Sequence, residues 1–192
     1  MTESIRKQLQ ESADLKNKIA ADNSFINKIQ EAAKACIRSL ETGGKILVAG
    51  NGGSAADAQH IAAELVNRFG FERPGLPAMA LTTDSSIMTS ISNDYGFDRI
   101  FARQIEALGK NGDILITITT SGRSANILEG IKSAREKGMF NIVLTGSNCN
   151  SLEMISDIVI SVPSDSTPRI QEVHILAGHI LCSEIESSLF RR

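Results

Sequence analysis

His60 and Glu64 stand four residues apart in DAQHIAAE, so a helix through this segment sets an imidazole and a carboxylate on one face. Such a pair can hold a divalent metal, pass protons, or make only a weak contact across one exposed turn, and on its own the weak exposed contact is the better reading. HxxxE lacks the second histidine of HExxH, which makes a metalloprotease a weak reading. Further donors lie near the other end of the chain, at Gln171, His174 and His179. Gln171 and His179 are separated by roughly 12 Å along a helix axis, so both reach one metal only if extended side chains converge from opposite ends. His174 points off that line and reads as structural.

Two further stretches suit an anionic or polyhydroxylated ligand. Asn51-Gly52-Gly53 ends an apolar run where a tight turn needs positive φ or close backbone approach, and Ser54 after it is a good helix N-cap. The helix that follows points free N–H groups and the positive end of its dipole at whatever sits over the glycines. Thr119-Thr120-Ser121-Gly122-Arg123-Ser124 brings several hydroxyls to the start of a second helix, a recurrent way to hold a phosphate dianion; an unliganded capping turn is the plainer alternative. Asn93-Asp94, after the apolar segment around Ile87 to Ile91, is a polar pair placed in a loop, and a simple helix stop accounts for it equally well.

The elements that must position these groups follow from periodicity. Apolar positions at helical spacing, Ile5, Leu9, Ala13, then Phe25, Ile29, Ala33 and Ile37, predict two amphipathic helices over about residues 4–41, with Asp22-Asn23-Ser24 as the break. The first is polar over much of its surface and long for the core it could cover, which favours packing on another subunit. Beyond Gly43-Gly44, apolar runs at Ile46 to Ala49, Ala78 to Leu81, Ile114 to Ile118, Ile142 to Leu144 and Ile158 to Val162 predict five short strands. The intervening segments are long enough for crossover helices, so the expected fold is α/β, a doubly wound five-stranded parallel sheet with flanking helices and an N-terminal helical extension. In such sheets ligands bind outside the carboxyl ends of the strands, where the polar loops fall.

Composition narrows the function classes. With 192 residues, 42% hydrophobic and 22% charged, one domain spanning residues 1–192 is expected. A formal charge of −2 with scattered basic residues gives no footprint for nucleic acid, so a small metabolite is the expected partner. No apolar run reaches signal-peptide or membrane-spanning length, which predicts a cytoplasmic protein without a membrane partner. Cys36, Cys149 and Cys182 are odd in number and far apart, indicating neither a disulfide framework nor a cysteine zinc site.

The segments GNGGSAADAQHIAAE, RPGLPAMALTTD, NDYGFDRIF, TTSGRSAN, EKGM and TPRIQEVHILAGHI, taken together and in this order, resemble the sugar isomerase (SIS) domain family over nearly the whole chain. Within it they are similar to the branch that isomerises a seven-carbon sugar phosphate. The resemblance implies a homotetramer that converts sedoheptulose 7-phosphate into D-glycero-D-manno-heptose 7-phosphate, the first step towards ADP-heptose and the lipopolysaccharide core, with one zinc ion per subunit. By position, His60, Glu64, Gln171 and His179 match the family's zinc ligands. Asn51, Gly52, Gly53, Asn93, Asp94, Thr119, Thr120, Ser121 and Ser124 match its substrate contacts, to which Glu64 and Gln171 also belong. Thr119 and Arg123 depart from the more usual Ser and Asn or Lys of this loop.

An aldose–ketose isomerase must remove a weakly acidic proton beside a carbonyl, stabilise the enediol and return the proton to the neighbouring carbon. The resemblance makes Glu64 the carbon base and His179 the group that moves protons between oxygens or assists ring opening, with zinc polarising the carbonyl. A Glu held tightly by zinc is a weaker base, so the two roles of Glu64 compete. A relative of similar sequence, the initiator-associating protein that binds the replication initiator DnaA, keeps the fold without the catalytic Glu and His. It supplies the alternative, a non-catalytic binding protein; both residues are present here.

Overall fold

The computed structural model describes residues 1–147 and 149–190. Two helices, α1 (Thr2–Ala20) and α2 (Asn23–Glu41), precede the first strand. Asp22 separates them by capping α2, its carboxylate accepting from the backbone N–H groups of Ser24 and Phe25 at 2.8 and 3.3 Å. Five strands follow: β1 (Ile46–Gly50), β2 (Ala78–Ala80), β3 (Ile114–Ile118), β4 (Phe140–Thr145) and β5 (Ile158–Ser161). Between and after them run α3 (Gly53–Val66), α4 (Ser85–Tyr95), α5 (Ile100–Leu108), α6 (Ala125–Glu136), the short α7 (Asn150–Glu153) and α8 (Thr167–Phe190).

All strand pairings are parallel, in the order β2-β1-β3-β4-β5. The expected doubly wound sheet is therefore present. Side chains alternate along β1: Ile46 and Val48 join the core under α2, α3 and α8, whereas Leu47 and Ala49 join the core under α5 and α6. Helices on both faces explain why the strands read as continuous apolar runs rather than alternating ones. Burying each large aliphatic side chain in these layers contributes about 1.5–3 kcal/mol relative to exposure.

The order also locates the site. From β1 the chain crosses to β2 through α3 on one face, and from β3 it crosses to β4 through α6 on the other. The strand order reverses between β1 and β3, which opens a crevice at their carboxyl ends. The loops leaving these two strands are Asn51-Gly52 and Thr119–Ser124.

Two local expectations need correction. Ser54 does not cap α3; Gly52, at φ 57°, is the N-cap, and Ser54 is buried in the first turn with its N–H donating to the Asn51 carbonyl at 3.0 Å. Only glycine takes that backbone shape cheaply, so the helix begins two residues sooner than a cap at Ser54 would start it. Asn93-Asp94 is not in a loop. It forms the exposed end of α4, which runs on to Tyr95 and stops at Gly96, φ 92°.

Candidate active site

α3 starts against the end of β1 so closely that a side chain at Gly50 would collide with the backbone of Ser54. That close junction fixes the direction in which α3 leaves the sheet. Its exposed face carries His60 and Glu64 one turn apart, with Nε2 and Oε1 separated by 3.1 Å. α8 crosses α3 beside them. The crossing is tight because position 178 is glycine: a Cβ there would lie 2.6 Å from Ile61 Cδ1. Ile61 follows His60 and Gly178 precedes His179, so this contact brings the two histidines together. Their Nε2 atoms are 3.4 Å apart, and the rings meet edge to face at 4.9 Å between centroids and 76° between planes.

The ligating atoms of His60, Glu64 and His179 all lie within 4.8 Å of one another. Two imidazole nitrogens and one carboxylate oxygen are an established donor set for a zinc site with a position left open. Bonds of 2.0–2.1 Å arranged tetrahedrally put neighbouring donors roughly 3.3 Å apart, close to the 3.1 and 3.4 Å found here. The residues present therefore fit such an ion. Gln171 lies at the glycine turn, its Nε2 2.5 Å from where a Cβ on Gly53 would sit. It thus sets α8 against the first residue of α3, at the turn after β1.

Asp57, one turn before His60 on the same helix, was not singled out by the sequence. Its Oδ2 is buried with no hydrogen-bond partner among the described residues. Burial raises its carboxyl above the ordinary carboxylate range, and charge on His60 and His179 works against that rise. The spacing of Asp57, His60 and Glu64, i, i+3 and i+7, was the signal that could have found it.

The loop after β3 is organised from within. Thr119 is buried and its hydroxyl accepts from the Gly122 N–H at 3.2 Å, while Ser121 Oγ accepts from the Arg123 N–H at 3.3 Å. Gly122 closes the turn at φ 66°. Ser124 is the N-cap of α6, yet its hydroxyl makes no capping bond, which leaves it available to an incoming group. The two loops are tied together by a second residue that the sequence did not mark, the buried Asn126. Asn51 and Asn126 exchange reciprocal amide hydrogen bonds, each 2.9 Å, across the crevice.

The structure thus gathers His60, Glu64 and His179 into one cluster, puts Gln171 at the glycine turn, and joins Asn51 to the helix following Thr119–Ser124. Asn93 and Asp94 are not drawn into either group; the Asn93 amide donates to the Asp94 carboxylate at 2.8 Å. His174 is fully buried, as its position off the Gln171–His179 line implied.

The chain is similar to known proteins over nearly its whole length. Residues 9–146 match the family model described as SIS domain. A curated "Phosphoheptose isomerase" of Sulfurimonas denitrificans is 50% identical over 190 residues, covering 99% of this chain and 97% of that one. Solved structures of phosphoheptose isomerases from Francisella tularensis and Neisseria gonorrhoeae superpose with TM-scores of 0.92 and 0.90. They are 44% and 43% identical, each covering 97% of this chain and 98% of theirs.

Proposed function

Since the chain belongs to the SIS domain family and, within it, to the phosphoheptose isomerases, we propose that it converts sedoheptulose 7-phosphate into D-glycero-D-manno-heptose 7-phosphate through an enediol. The observation that carries this reading is the convergence of His60, Glu64 and His179, two of them on the helix that begins at the glycine turn of the sheet's switch point. A binding protein of the same fold has no need of that convergence.

In this reading Asn51, Gly52, Gly53, Thr119, Thr120, Ser121 and Ser124 hold the sugar phosphate, with Asn93 and Asp94 as further contacts. The phosphate rests on the helix starts and hydroxyls after β3. His60, Glu64, His179 and Gln171 would hold zinc. When bound, zinc would polarise the substrate carbonyl as a Lewis acid. Glu64 takes the proton from carbon and returns it to the neighbouring carbon. Its two oxygens separate the competing demands on it: Oε1 faces His60, and Oε2 is left to accept the proton. His179 is held on one side by the His60 ring and on another by Phe69, 5.6 Å between centroids, an orientation suited to moving a proton between the substrate oxygens.

The working protein in this proposal is a single-domain homotetramer in the cytoplasm, supplying heptose for the lipopolysaccharide core. Supporting the assembly, Ile5 and Leu9 on α1 are 53% and 67% exposed, two large apolar side chains one turn apart that a partner subunit could cover. Among the described residues no helix is long and apolar enough to cross a membrane.

The test is proton NMR of sedoheptulose 7-phosphate in D₂O with purified protein, before and after chelation and zinc repletion. An aldose product that disappears on chelation and returns with zinc is the expected result. No turnover by assembled, zinc-replete protein would put the non-catalytic alternative first.

A further inference from the structure

Arg73 and Glu186 form an ion pair with 1% and 2% of their side chains exposed, Arg73 Nε donating to Glu186 Oε1 at 3.0 Å. Neither residue belongs to the site as proposed. Each nevertheless reaches a backbone segment that carries it. Arg73 Nη2 donates to the carbonyl of Glu64 itself at 2.9 Å, and Nη1 to that of Leu65 at 2.7 Å. The last turn of α3 leaves these carbonyls without helical partners, and that of Leu65 also accepts from the Leu76 N–H at 3.0 Å. Glu186, on α8 two turns past His179, accepts from the N–H groups of Phe69 and Gly70 at 2.9 and 2.6 Å. Phe69 in turn sets its ring against His179.

The pair therefore joins three things: the turn of α3 bearing Glu64, the helix bearing His179, and the segment whose aromatic ring backs His179. α3 and α8 also meet at Gly53–Gln171, Ile61–Gly178 and His60–His179, contacts that lie along α3 up to the turn before Glu64. The ion pair extends these contacts to the last turn of α3, where Arg73 holds the Glu64 and Leu65 carbonyls and Glu186 anchors them to α8. Guanidinium is suited to this position because its planar donors bond a carboxylate and two carbonyls at once, which an ammonium group cannot do in the same geometry.

We propose that Arg73 and Glu186 are positioning residues for the metal centre, holding His60, Glu64 and His179 at ligating separation by locking α3 against α8. The assignment rests on reading those three side chains as metal ligands. Buried ion pairs can often be exchanged for apolar residues without loss of stability, whereas removing one partner strands a charge. That difference separates positioning from mere stability. Support around ligands typically accounts for ten- to hundredfold in metal affinity.

The experiment compares wild type, Arg73→Lys and the double variant Arg73→Met with Glu186→Leu, all as full-length chains. Zinc affinity of the metal-free proteins is measured by competition with a chromophoric chelator, alongside thermal unfolding, kcat and KM. The expected result is cooperative unfolding in the variants, zinc binding weaker by about ten- to hundredfold, and KM nearly unchanged because the phosphate loops lie elsewhere. Either folded variant binding zinc within twofold of wild type overturns the proposal. If neither variant folds, the pair is a stability element alone, and the proposal is equally overturned. Wild type that binds no zinc would refute the metal reading itself, a failure distinguishable from that of the clamp.

Discussion

Replacing Glu64 by Gln removes the carboxylate's charge and proton affinity while keeping its shape. The side chain is 24% exposed and its partner His60 47% exposed, so their 3.1 Å contact is a partly solvated pair across one helical turn. Such pairs contribute about 0.3–0.5 kcal/mol, which would shift the melting temperature by only about 1–2 °C. The chemical loss is far larger. A positioned general base contributes about 10²–10⁴ in rate, or about 3–5 kcal/mol of barrier at 1.36 kcal/mol per decade. The variant should therefore remain folded while kcat falls by two to four decades, on the order expected for loss of a base. The assay is turnover of sedoheptulose 7-phosphate followed by proton NMR in D₂O, with zinc affinity measured on the same samples. If the variant is folded, assembled and zinc-replete, and kcat stays within tenfold of wild type, Glu64 is not the base. Weakened zinc binding with unimpaired exchange at carbon would leave it a ligand only.

Ser121→Ala combined with Ser124→Ala should raise KM about tenfold or more with a smaller change in kcat, since hydrogen bonds to a charged group contribute about 1.5–3 kcal/mol each; an unchanged KM would remove the loop after β3 as the phosphate cradle. Gly53→Ala places a methyl 2.5 Å from Gln171 Nε2, the free end of a flexible side chain. The fold should survive while kcat/KM, read from initial rates, drops by at least about tenfold as Gln171 swings away. Burial pushes the fully buried His174 down to about 4, against an opposing contribution from the Thr145 backbone. Its folded value lies below its unfolded one, so between roughly pH 6.5 and 4 the unfolded chain binds a proton that the folded chain refuses, and stability falls as pH falls, by up to about 3 kcal/mol. Urea denaturation at pH 7 and 4.5 should show this loss, and His174→Met should flatten it; an undiminished acid slope in the variant would assign the loss to other groups.

What the sequence determined by itself was everything governed by neighbours along the chain. Five apolar runs separated by amphipathic segments specify parallel strands joined by helices, because strands covered on both faces must be apolar throughout. The i, i+4 spacing of His60 and Glu64 specifies a shared helix face, and the hydroxyls after Ile118 specify a helix start able to receive an anion. Where two local signals competed, the sequence misled: Ser54 is the better capping side chain, but Gly52 has the backbone freedom that the turn from β1 demands. The end of α4 was likewise set by Gly96 and not by the polar pair before it.

Only the tertiary structure decided which distant residues meet. His60 and His179 are 119 positions apart, and their contact depends on a glycine that lets α8 approach α3. Asn51 and Asn126 become partners because strand order sets β1 beside β3, a choice that no local pattern encodes. Arg73 and Glu186 read in sequence as two ordinary charges. Their burial, and with it their hold on the helices of the site, exists only once packing has excluded water from both.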